Sequence, residues 1–62
     1  MREIVQEAAV YFDNEKGRTL HSRQFTMAQA ISVAERCNTA NKTMGLKGEY
    51  LAVVEHHVNL SN

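Results

Sequence analysis

Three histidines, His21, His56 and His57, and a single cysteine, Cys37, are the side chains best suited to metal ligation or nucleophilic chemistry. Imidazole nitrogen and thiolate sulfur are common protein donors to zinc, held at about 2.0–2.3 Å. A thiol beside an imidazole is also an activated nucleophile. The spacing supports neither chemistry. Adjacent residues on a strand point to opposite faces, which separates His56 from His57. The positions of Cys37 and the histidines follow no usual zinc pattern. Ser22 and Ser32 lie in no nucleophile elbow, and Gly45-Leu46-Lys47-Gly48 lacks the spacing of a phosphate loop. The acidic residues form no recognisable carboxylate pair. The expectation is a protein with no catalytic residue, no metal and no cofactor.

Recognition by charge is the next candidate. The 7 Lys and Arg balance the 7 Asp and Glu, but unevenly along the chain. Residues 1–15 carry one Arg against four acids, residues 16–47 carry six bases against Glu35, and residues 48–62 carry two acids. The basic middle, with Arg18, Arg23, Arg36 and Lys42, suits phosphates or an acidic protein surface. Tyr11 beside His21 and Arg23 is the closest approach to a base-stacking surface. A pI near 6.8 lacks the basic footprint of a nucleic-acid domain, so that function ranks as the alternative. The expected neutraliser of Arg23 is Glu7, its diagonal neighbour on a paired strand.

These side chains must be positioned by a very short chain. Sixty-two residues make a single domain over residues 1–62. A domain of about 60 residues buries only about 60% of the surface its unfolded chain exposes. One cysteine rules out an internal disulfide, so association is the expected supplement to a thin core. Apolar residues at 44% and charged residues at 23% argue for an ordered globular chain. The longest apolar run, Ala8 to Phe12, is far short of the about 20 residues of a membrane span. The start Met-Arg-Glu has no signal-peptide core, and with a lone cysteine the expected compartment is the cytosol.

Asp13-Asn14-Glu15-Lys16-Gly17 is the clearest turn. A three-residue hairpin loop needs a left-handed residue at its end, and Gly17 fits. That makes Glu15-Lys16-Gly17 the loop and sets Phe12 opposite Leu20, Val10 opposite Ser22 and Ala8 opposite Gln24. One face then collects Ala8, Val10, Phe12 and Leu20. The other collects Ala9, Tyr11, Asp13, Thr19, His21 and Arg23. Arg2 to Phe12 also has helical spacing, but the tight turn and the Val10-Tyr11-Phe12 run favour a strand. For residues 1–5 a helical turn or a frayed end stays open as an alternative to the strand.

Thr26 followed by Gln29 fits a capping box. The stripe Met27, Ala30, Ile31, Ala34, Cys37 and Met44 predicts an amphipathic helix ended by Gly45. Tyr50 to Val54, apolar on both alternating sets, predicts a third strand within Glu49–Val58. The result is an α+β fold of order β-β-α-β. One helix packs on one face of its three-stranded sheet; the third strand lies beside the first or beside the second, and the former, an antiparallel sheet of spatial order 2-1-3, is preferred because it puts the most apolar strands in the middle.

One helix leaves the other sheet face open, with apolar side chains on it, and such patches mark interaction sites. The expected contact surface is Tyr11, His21, Arg23, Leu51 and Val53. The reading is a small non-enzymatic interaction or regulatory module with a protein partner. It is expected to form a homo-oligomer, most simply a homodimer, and to have no membrane association. Such a chain suits an accessory protein of bacterial or phage type.

Overall fold

The computed structural model describes residues 2–61 and the side chains of residues 3–60. Strand β1 spans Arg2–Asn14, β2 Gly17–Gln24 and β3 Glu49–Ser61, with helix α1, Met27–Met44, between β2 and β3. The sheet order is β2-β1-β3, and both pairings are antiparallel. This is the α+β architecture expected from the turn and helix signals. Of residues 1–5, Met1 lies outside the described residues; the rest belong to β1, not to a helical turn.

Local chemistry accounts for each junction. The Thr26 hydroxyl accepts from the Gln29 backbone N–H at 3.2 Å, and the Gln29 side chain accepts from the Thr26 N–H at 3.2 Å. Two of the orphan donors at the helix start are thereby satisfied. Gly45 ends the helix at φ 70° and ψ 23°, the left-handed region where a Cβ is unfavourable. Lys42 lies in the last turn, at the negative end of the helix dipole.

The hairpin differs from expectation. Asn14 pairs with Gly17, which leaves only Glu15 and Lys16 between the strands. The Asn14 side-chain oxygen accepts from the Lys16 N–H at 3.0 Å, a local bond that tightens the turn. Phe12 therefore sits opposite Thr19, and Leu20 sits opposite Tyr11 rather than Phe12. One extra residue on β2 then restores the expected register, so Val10 meets Ser22 and Ala8 meets Gln24. A bulge of this kind changes which side of the sheet the flanking side chains take. Leu20 consequently lies on the open face, and His21 turns toward the helix.

The core lies between α1 and the centre of the sheet. Ala8 and Val10 of β1 meet Ala30 and Ala34 of α1, with Met27, Val33, Tyr50 and Ala52 around them. Alanines at the crossing bring the helix close to the strand. The stripe is narrower than expected, because Ile31 and Met44 are exposed and Cys37 is half-buried.

Two further features shape the molecule. The Asn38 side-chain amide bonds the backbone of Tyr50 at both ends, accepting from its N–H at 2.7 Å and donating to its C=O at 2.9 Å. The helix thereby caps the start of the outer edge of β3. At the other end, β2 stops at Gln24 opposite Ala8, while β1 and β3 continue to Arg2 and Ser61 as a two-stranded ribbon. The ribbon contributes to the elongated shape, 44 × 23 × 18 Å. Replacing Asn38 with Ala removes both partners from Tyr50. The expected loss is about 1–3 kcal/mol, measured as a lower urea midpoint with an unchanged slope.

Candidate functional site

The sheet face away from α1 is built from alternate residues of all three strands. Tyr11 lies opposite Leu20 and Leu51, and Ala9 lies opposite Arg23 and Val53. Directly paired residues share a face, so these six side chains form one patch. Four of the five expected contact residues, Tyr11, Arg23, Leu51 and Val53, are thus brought together. The fifth, His21, is not. Its ring packs edge-on against Tyr50 at a centroid distance of 5.1 Å, and its Nε2 is 3.9 Å from the Cys37 sulfur. Both neighbours belong to the helix side. Leu20, 46% exposed, takes the place expected for His21.

The centre of the open face is closed by charge rather than by apolar packing. Glu55 of β3 accepts a hydrogen bond from the Tyr11 hydroxyl and an ion-pair hydrogen bond from Arg23 Nη1. Arg23 and Glu55 stand on the two outer strands, about 9.6 Å apart at two strand spacings. They meet because Ala9, between them on β1, has almost no side chain. Their long side chains close over it, and Ala9 is fully buried with no element above it. The predicted neutralisation of Arg23 by Glu7 is replaced by this arrangement. Glu7 instead lies 3.2 Å from His56 Nδ1.

The clasp has an electrostatic signature. The hydrogen bonds from Tyr11 and then Arg23 hold the Glu55 carboxyl below its ordinary value of 4.5. The hydrogen bond to Glu55 raises the Tyr11 hydroxyl above its ordinary 10.0. Each shift states that the folded chain prefers ionised Glu55 and protonated Tyr11.

The basic set is divided. Arg18 lies 3.6 Å from Asp13 and Arg23 is bound to Glu55, both on β2, whereas Arg36 and Lys42 belong to α1 across the sheet. No group of three or more His, Cys, Asp or Glu side chains able to hold a metal occurs among the described residues. One depression, of about 480 Å³, is open and lined by Asn38, Asn41, Lys42, Leu46, Gly48 and Glu49. Among the described residues, no helix is long and apolar enough to cross a membrane.

Sequence reasoning missed Glu55 and Leu20. Glu55 was legible, since it alternates with Leu51 and Val53 on β3. Leu20 was not, because its face depends on the β2 bulge. No family model matches this chain, and no curated protein or solved structure matches it.

Two outcomes test the clasp. Replacing Ala9 with Leu fills the gap that Arg23 and Glu55 close over, at a cost of about 1–3 kcal/mol in thermal or urea unfolding. For pH, the folded Glu55 carboxyl titrates below the unfolded one, so its stabilisation is complete above 4.5. It is lost as pH falls through the folded value. Urea midpoints of the native chain and of Glu55→Gln should therefore differ most near neutral pH and converge in acid.

Proposed function

We propose that this chain is a small non-enzymatic interaction module that self-associates and offers its open sheet face to a partner protein. The observation that carries the reading is the patch of Tyr11, Leu20, Leu51 and Val53 on a face that no helix covers. Leu20 is exposed and Tyr11, Leu51 and Val53 are half-buried, and contiguous apolar surface of this kind is a usual mark of protein contact. The ion-paired Arg23 and Glu55 at its centre add polar groups that orient a partner while the surrounding apolar groups supply area. The thin alanine-lined core adds a second support, because a chain of this length gains stability by burying more surface in an assembly. The pairing of Arg18 and Arg23 with acids leaves less charge for the alternative, a regulatory nucleic-acid binder using Arg18, Arg23, Arg36 and Lys42.

Light scattering after gel filtration at micromolar concentration tests the reading. The expected mass is at least twice the 7.0 kDa of one chain. Leu51→Lys and Val53→Lys should lower it while leaving the circular dichroism spectrum in place. A 7.0 kDa monomer that unfolds cooperatively overturns the proposal. Salt-dependent binding to RNA or DNA that Arg36→Ala and Lys42→Ala abolish would establish the alternative instead.

A further inference from the structure

The outer edge of β3 carries a pattern that its place in one chain does not require. From Leu51 to Leu60 the strand reads Leu-Ala-Val-Val-Glu and then His-His-Val-Asn-Leu. Read from the centre outward, Glu55 mirrors His56, Val54 mirrors His57, Val53 mirrors Val58, Ala52 mirrors Asn59 and Leu51 mirrors Leu60. The mirror point is the bond between Glu55 and His56.

In a regular strand this mirror would be useless for pairing. Side chains alternate, so residues related through a bond between two positions point to opposite faces. Antiparallel pairing needs opposed residues on the same face. The bulge in β3 removes the conflict. Val54 pairs with Ala8, and His57 pairs with Gln6, so three steps on β3 match two on β1. The extra residue lies at Glu55-His56, and both of these side chains are on the open face, Glu55 on Tyr11 and Arg23, His56 on Glu7. Beyond the bulge the alternation is reversed. Leu51, Val53, Val58 and Leu60 therefore share the open face, while Ala52, Val54, His57 and Asn59 share the helix face.

We propose that two copies of this chain pair antiparallel through β3, with the two-fold axis between Glu55 and His56. Opposed residues then match in face, and those of the open face match in chemistry, whereas the helix face sets Ala52 against Asn59 and Val54 against His57. Leu51 meets Leu60 of the second copy, Val53 meets Val58, and Glu55 meets His56, each twice. Within one copy Glu55 reaches Tyr11 and Arg23, and His56 engages Glu7 through Nδ1; the carboxylate keeps acceptor capacity beyond its two bonds, and the imidazole has a second ring nitrogen to offer a second copy.

The exposure pattern fits this occupant. Leu60 is 66% exposed and Val54 76% exposed, both on the edge strand of the sheet. The seam from Leu51 to Leu60 ends one residue short of Tyr50, whose backbone Asn38 already caps. The opposite edge, β2, is shorter, 8 residues against 13. The product is a continuous six-stranded sheet with both helices on one side. Its open face is one surface of twice the area, with the Leu51–Leu60 and Val53–Val58 pairs at the middle.

This inference rests on the proposal that the chain self-associates, and the test separates the two. In a Cys37→Ser background, Val53→Cys and Val58→Cys are made as separate chains. Mixed and oxidised, they should give a covalent dimer, because opposed Cβ atoms lie within about 5.5 Å. Neither variant alone should do so, since Val53 and Val58 pair four positions apart on β1, which sets Val53 of one copy roughly 14 Å from Val53 of the other. His56→Glu, which sets two carboxylates against each other at the axis, should weaken the dimer by about tenfold with the fold intact. A native dimer in which the mixture fails to cross-link, or in which Leu20→Lys weakens association as much as His56→Glu, overturns this seam and leaves self-association standing. A native chain that stays monomeric overturns both.

Discussion

Ala9 is completely buried although no element covers its side of the sheet, and much of the structure follows from how that is achieved. The centre of β1 is thin on both faces. On one side Ala8 lets α1 approach through Ala30 and Ala34. On the other, Ala9 lets Arg23 and Glu55 reach across from the two outer strands and close over it. A larger residue at either position would separate groups that now meet. The central strand therefore works as a narrow plate, clamped by packing from one side and by a charged hydrogen-bonded pair from the other.

A plate of this kind is held by backbone pairing along its length and by side chains mainly at its middle. The long strands β1 and β3 outrun both β2 and the helix, and their apolar residues are correspondingly exposed near the ribbon end. The buried side chains are small, with Val10 the largest that is fully enclosed. Such a core yields limited hydrophobic stabilisation, in keeping with the surface-to-volume ratio of a chain this short. The open face and the free edge of β3 are where additional burial is still to be gained, which is why the functional proposals concern association.

Several parts of this arrangement were legible in the residues. The capping box at Thr26 and Gln29 and the glycine stop at Gly45 are local hydrogen-bond and dihedral effects and occur as expected; the turn after Asn14 falls where expected but closes one residue earlier, on Gly17. The strand order followed from the two-sided apolar character of Tyr50–Val54 beside the apolar run of β1. Less legible were effects that depend on a neighbour's exact register. The β2 bulge moved Leu20 to the open face and His21 beneath it, against Cys37 and Tyr50. Arg23 chose Glu55, two strands away, over Glu7, its diagonal neighbour, because a pair of long side chains reaches across an alanine.

The sequence by itself determined the elements, their order and the side of β1 that the helix takes, since these rest on periodicity, caps and turn residues acting over a few positions. Only the tertiary structure decided which side chains share a face. A bulge of one residue reverses every alternation beyond it, and no glycine marks either bulge in the sequence. That is why the chemistry first sought at His21 and Cys37 lies on the helix side. The surface with most to offer a partner is centred instead on Tyr11, Arg23 and Glu55.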